Sequence, residues 1–278
     1  MSYKTILVHL NDTRRAEALL EPAVRLATRY NAHLIGLHVY AGVPAPPIPL
    51  PYGSDVVGAV AAAQLKEAEE IAATFARLTA EQPFVAEWRV EKGPGIDPAG
   101  IVMDHSRAAD LVIAGQSDPD WDATPLQDVA ERLALGAGRP VLVVPYVGRY
   151  PEIGRNVVIA WKAARESARA VFDALPMLEL AEQVQILEVG ETGRRGRVAK
   201  ADASIAATLA RHGIKATVRT SIADEISVGD EILSRIADMG ADLLVMGAYG
   251  HSRVRQLVFG GVTRHIARHM TVPTLLSH

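Results

Sequence analysis

The chain contains no cysteine, which excludes disulfides, thiol catalysis and cysteine metal sites. It lacks a strong charge of either sign: 29 Lys and Arg stand against 32 Asp and Glu, a net of −3. Such a balance gives no global pull towards nucleic acid or an anionic membrane, so any anion site must be local. No apolar run approaches the ~20 residues that span a bilayer, and Met1-Ser2-Tyr3-Lys4 leads directly into an apolar strand without a signal-peptide pattern. The expectation is a cytoplasmic protein with neither nucleic-acid nor membrane partners. The catalytic signatures Gly-x4-Gly-Lys-Ser/Thr, Gly-x-Ser-x-Gly and His-Glu-x2-His are also missing. What is present is 49% hydrophobic and 22% charged residues over 278 positions, a globular composition with length for about two domains.

The two domains are copies of each other. Ile6-Leu7-Val8 recurs as Val157-Val158-Ile159, and His33 to Val39 recurs as Gln183 to Val189, at offsets of 151 and 150. Ala109 to Gly115 matches Ala241 to Gly247 at an offset of 132, and Pro140-Val141-Leu142-Val143 matches Pro273 to Leu276 at 133. The offset falls by 18 residues, so the first copy carries an insertion of about that length. The segment 42–60 is the candidate: Pro44, Pro46, Pro47, Pro49 and Pro51 suit an extended loop rather than helix or central strand. The predicted domains are 1–147 and 154–278.

Within the first copy, the pattern predicts strands at Thr5–Leu10, His33–Tyr40, Val85–Val90, Leu111–Gly115 and Val141–Val144. Helices are predicted at Arg14–Tyr30, Val57–Glu81, near Pro98–Ala108 and near Leu126–Leu135. Runs such as Leu111-Val112-Ile113-Ala114 are apolar throughout, as in parallel strands covered on both faces. The fold class is therefore α/β, with two tandem doubly wound, five-stranded parallel-sheet domains, and ligands are expected beyond the carboxyl ends of the strands.

After the fourth strand of the second copy comes Gly247-Ala248-Tyr249-Gly250, then nine residues, then Gly260-Gly261-Val262-Thr263 opening a helix. Glycines admit close approach of backbone N–H groups to a phosphate, and a helix start attracts negative charge. Residues 247–278 hold Arg253, Arg255, Arg264 and Arg268 with no Asp or Glu, a local net of +4. The competing reading of the spacing is a simple turn followed by a solvated helix. His251 is placed to touch a phosphate or to cap the loop. The first copy has Gln127, Asp128 and Ala130 where the second has Gly260, Gly261 and Thr263, and 115–131 is acidic without Lys or Arg. It should not bind a polyphosphate. Asp118-Pro119-Asp120-Trp121-Asp122 does not continue as a calcium loop, because Ala123 and Val129 stand at the glycine and glutamate positions.

The spacing Gly247-x2-Gly250-x9-Gly260, with Val262-Thr263 and a closing Val272-Pro273 strand, resembles the universal stress protein family in its ATP-binding form. Tyr3-Lys4-Thr5-Ile6-Leu7-Val8 is similar to the family's usual start, and the two copies resemble its tandem type over nearly the whole chain. The resemblance implies a Rossmann-like fold of the adenine nucleotide alpha hydrolase kind, with ATP or a related adenine nucleotide, with or without magnesium, as the ligand. It implies phosphate and ribose contacts at Gly247, Gly250, Gly260, Gly261, Val262 and Thr263, and base contacts at Ala160, Trp161, Lys162 and Val189. Two positions depart from the family pattern. Gly261 replaces a Ser or Thr, which removes one hydroxyl donor, and Lys162 replaces an acidic residue.

His265 and His269 share a helix face, but two ligands do not make a metal site. Fast hydrolysis is not expected, since the loop offers no carboxylate to hold a metal; at most the protein is a weak ATPase. The leading expectation is a nucleotide-dependent stress-response or signalling module with an unidentified protein partner. The alternative is a nucleotide-independent interaction module built on the remodelled first copy. The apolar closing strands Val141–Val144 and Leu275–Ser277 should pair into an intramolecular pseudo-dimer, a pairing the resemblance also implies; a homodimer of chains is left open.

Overall fold

Apolar runs with alternating side-chain direction assemble into a sheet with a core on each face. In the computed structural model, which describes residues 2–41, 53–93, 98–118, 129–191, 204–248 and 261–278, the N-terminal copy runs β1 (Thr5–His9), α1 (Thr13–Tyr30), β2 (His33–Ala41), α2 (Gly53–Thr79) and β3 (Ala86–Gly93). It continues through α3 (Pro98–Ser106), β4 (Leu111–Gly115), α4 (Val129–Gly136) and β5 (Val141–Val144). The C-terminal copy runs β6 (Asn156–Ala160), α5 (Arg165–Asp173), α6 (Leu175–Leu178), β7 (Gln183–Glu191) and a helix at 204–211, α7. It ends with β8 (Ala216–Ala223), α8 (Val228–Asp238), β9 (Leu243–Gly247), α9 (Gly261–His269) and β10 (Thr274–Ser277).

The ten strands form one sheet in the order β3-β2-β1-β4-β5-β10-β9-β6-β7-β8. All neighbours are parallel except β5 and β10, which pair antiparallel through Thr274–Val143, Leu275–Leu142 and Leu276–Val141. The closing strands of the two copies thus meet each other within one chain. Strand alternation sends Ile6, Val8, Leu111 and Ile113 to a face covered by α1, α2, α5, α6 and α7. Leu7, Val112 and Ala114 point to the opposite face, covered by α3, α4, α8 and α9. The seam carries polar ties as well: the Tyr3 hydroxyl donates to Asp173 O (2.7 Å) and Tyr30 to Pro176 O (3.1 Å).

The repeated Ala-Asp-Leu has a structural reason. Asp110 accepts from the backbone N–H of Lys4 and Thr5, and Asp242 accepts from those of Gly154, Arg155 and Asn156, so each carboxylate anchors the start of its copy's first strand. The copies differ in their first helix. α1 is continuous, whereas its counterpart breaks into α5 and α6, with Pro176 in the first turn of α6, where a missing N–H is tolerated.

The expected extended loop over 42–60 fails at its end, because residues 53–60 are the first turns of α2. All five prolines precede Tyr52, and the alanine-rich stretch beyond Gly53 has nothing to interrupt a helix. Residues 42–52 lie outside the described residues, as do 126–128 at the expected start of α4.

Candidate functional site

The carboxyl ends of three adjacent strands define a crevice in the C-terminal copy. Ala160 of β6 is level with Leu187 of β7 and Met246 of β9. The chain leaves β6 with Trp161 N–H bonded to Leu187 O (2.8 Å), passes the exposed Lys162, and enters α5. Ala164, the N-cap of α5, offers no side-chain acceptor, so the first N–H groups of that helix are uncapped by it. On the other side α9 begins at the exposed Gly261, with Val262 half-buried and Thr263 buried and partnered. No acidic residue lies in the first turn of α9, and Arg268 and His269 close its last turn, so the positive end of the helix dipole meets no carboxylate of its own helix.

Gly247 is dictated by packing. A Cβ there would stand 2.5 Å from backbone atoms of Glu166 and Ser167, so α5 approaches β9 only because the position is glycine. That approach brings the Glu166 side chain, 13% exposed and 3.3 Å from Arg165, beside the crevice. Gly261 behaves differently, since a Cβ there would meet nothing within 4 Å. The indole of Trp161 packs against the core while its Nε1–H is buried without a partner.

The equivalent crevice of the N-terminal copy is a small cleft lined by His9, Asn11, Asp12, Arg15, Gln116 and Asp118, among others. Asp12 and Arg15 are committed to the fold. Asp12 is the buried N-cap of α1 and accepts from Arg15 N (2.8 Å). The Arg15 guanidinium donates to Pro145 O (2.6 Å); burial draws its pKa below the ordinary value, opposed by Asp12 and Asp118. His9, 2% exposed, is pushed down to about 3 by burial and then by the neighbouring His38, so it is neutral at physiological pH.

This repeated architecture matches a sequence profile, that of the universal stress protein family, over residues 2–145 and 157–278. The chain belongs to that family. Universal stress protein Slr1230 from Synechocystis is 33% identical over 149 residues, which are 52% of this chain and 49% of that protein. The chain therefore spans about half the length of the curated relative it matches. In three dimensions it resembles a universal stress protein from Archaeoglobus fulgidus, with 17% identity, a TM-score of 0.71, and coverage of 98% of this chain and 95% of that one. A putative universal stress protein from Pseudomonas aeruginosa matches at 13% identity and a TM-score of 0.61, covering 99% and 93%. At these identities the structural likeness speaks for the fold.

In this universal stress protein, Ala160, Trp161, Lys162, Val189, Gly247, Gly261, Val262 and Thr263 fall on the elements that border the C-terminal crevice. Gly250, His251, Arg253 and Gly260 lie outside the described residues. The fold brings two carboxylates to segments whose own sequence holds none. α8 brings Asp230 to 2.8 Å from His265 Nε2; His269 donates to His265 O, and no three potential ligands gather for a metal among the described residues. Glu166 arrives from α5 beside the strand end that opens the glycine loop. Its signal was available in the repeat, since the offset of 151 pairs Glu166 with Arg15, a charge reversal between the copies. Lys162 already has interactions within the protein and is not a free cation.

Proposed function

We propose that this universal stress protein binds ATP or a related adenine nucleotide in its C-terminal crevice and acts as a nucleotide-dependent stress-response or signalling module. The observation that carries the reading is the start of α9: Gly261 faces open space and the first turn has no acidic residue. The phosphates would lie against the N–H groups of Gly261, Val262 and Thr263 and the neighbouring Gly250 and Gly260, with His251 and Arg253 close in sequence. The base would lie by Ala160, Trp161, Lys162 and Val189. Among the described residues no carboxylate set awaits magnesium, so the ion would arrive with the phosphates. Glu166 is engaged by Arg165, which supports binding rather than turnover and leaves a slow ATPase as the third reading.

One observation favours the interaction-module alternative. The early part of α2 is exposed and apolar, with Val60 at 40% and Leu65 at 56% exposure, and no charge occurs between Asp55 and Lys66. Mass spectrometry of small molecules released from freshly purified, acid-quenched protein separates the two. Adenine nucleotide at up to one per chain supports the reading. Nothing released, with no rise in melting temperature on adding ATP and magnesium, overturns it and promotes the interaction module.

A further inference from the structure

The two copies end their fourth helices differently. α4 runs into Gly136-Ala137-Gly138, with Gly138 at φ +65°, and Ala137 N–H reaches Leu133 O (2.9 Å), a glycine-based termination internal to the copy. At the offset of 133 the same positions in α9 are His269, Met270 and Thr271, with no glycine. Met270 N–H satisfies Ile266 O (2.8 Å), and the next carbonyl, Ala267 O, is met from the other copy: Gln116 Nε2 donates to it at 2.9 Å. The same amide accepts from Tyr146 N–H through Oε1 (3.0 Å), and Gln116 is 6% exposed, so both ends of its side chain are committed in the interior. The relation does not run in reverse. The counterpart of Gln116 is Ala248: their N–H groups make the same bond to the last strand, Gln116 to Val144 O and Ala248 to Ser277 O, but a methyl group cannot cap a carbonyl.

We propose that Gln116 is a positioning residue for the anion-binding helix, through which the N-terminal copy sets the affinity of the C-terminal crevice. The proposal rests on the nucleotide reading above. α9 has nine residues, about 13 Å at the usual rise, too short to persist without tertiary support. Beside the burial of Ile266 and Ala267 in the core, its described polar fastenings are the His265–Asp230 pair on α8 and the Gln116 cap at the end remote from Gly261. Releasing the cap frays the last turn and loosens the N–H groups that must converge on phosphate.

The test uses the full chain and ATP with magnesium as the probe. Gln116→Ala should weaken binding by about three- to tenfold, the effect of one buried hydrogen bond, measured by calorimetry well below the melting temperature. Gln116→Glu supplies a readout that a purely structural role would not move. Ionised, the new side chain still accepts from Tyr146 but faces Ala267 O without a proton; protonated, it donates again. The ratio of its Kd to that of the wild type should be near one at about pH 5 and rise severalfold by about pH 8. His9, Asp12, Arg15 and Asp118 share the cleft and face the new carboxyl; Arg15 favours its ionised form and Asp12 and Asp118 its neutral form, so they set the pH at which the ratio rises. Unchanged binding by both variants at every pH overturns the proposal. Hydrogen exchange without nucleotide tests the cap separately: Gln116→Ala should speed the amides of 266–270 relative to those of α4, and equal rates overturn it. A wild type that binds no nucleotide removes the functional reading, and exchange alone then decides the cap.

Discussion

The two crevices occupy equivalent places in one sheet and solve the same electrostatic problem in opposite ways. In the N-terminal copy, the positive start of α1 is met by a carboxylate of the chain itself, Asp12, and the nearby guanidinium of Arg15 is met by Pro145 O. In the C-terminal copy the N-cap of α5 is Ala164, with Glu166 as the carboxylate of its first turn, and of the two helices only α9 has no acidic residue in its first turn. A helix start that has no internal anion is a place where an external one gains the full interaction. The comparison teaches that the crevices differ in more than their glycines: the first helix of one copy is capped by the buried carboxylate of Asp12, and that of the other begins at Ala164 without a side-chain cap.

The largest expected effect breaks the crevice sterically. Gly261→Leu should keep the melting temperature, because space around that position is open. Adenine nucleotide binding should fall by about a hundredfold through loss of amide–phosphate bonds, each worth roughly 1.5–3 kcal/mol. Calorimetry beside a thermal melt checks both halves; Gly247→Ala is not a substitute, since its Cβ would strike the backbone of α5.

Next comes the proton linkage of the N-terminal cleft. His9 has a folded pKa of about 3, below its unfolded value, so between these values the unfolded chain binds the extra proton and stability falls as pH falls. From pH 7 to pH 5 the loss should be about 2 kcal/mol from this group, and His9→Ala, which installs the residue of Ala160, should flatten that part of the profile. Urea unfolding at the two pH values measures it; equal slopes in both proteins would remove His9 as the cause.

Lys162→Ala should change nucleotide affinity by at least about tenfold, as one charge-assisted contact implies. Indistinguishable titrations of variant and wild type would take Lys162 out of the site. Ala164→Asp transplants the N-terminal solution: it should stabilise α5 by about 1 kcal/mol as an N-cap while weakening nucleotide binding severalfold. Opposite signs in the melt and the titration are the expected pattern, and a shared sign counts against anion binding at α5. The smallest effect, of opposite direction, is Gly261→Ser, which restores the family's hydroxyl and should tighten binding by about threefold, read in the same titration.

Much of this was legible in the sequence because it is local. Leu111–Gly115 and Val141–Val144 are strands with the bounds their apolar runs suggest, and α1 differs by one residue at its start. The insertion was legible as prolines and was misjudged only where they stop, at the first turns of α2. The glycine spacing marked the crevice but not the reason for each glycine. Nothing local distinguishes Gly247, needed so that α5 can approach β9, from Gly261, which has room for a side chain.

By itself the sequence determined the repeat, the parallel α/β architecture and the family, since hydrophobic period and glycine spacing depend on neighbours a few residues apart. Only the tertiary structure decided which distant residues meet. Glu166 beside Gly247, Asp230 on His265 and Gln116 on Ala267 O join residues separated by 81, 35 and 151 positions. Such pairs follow from sheet order and helix packing; the repeat marks Glu166 as a charge reversal, but single side chains at those separations leave no periodic trace of what they touch.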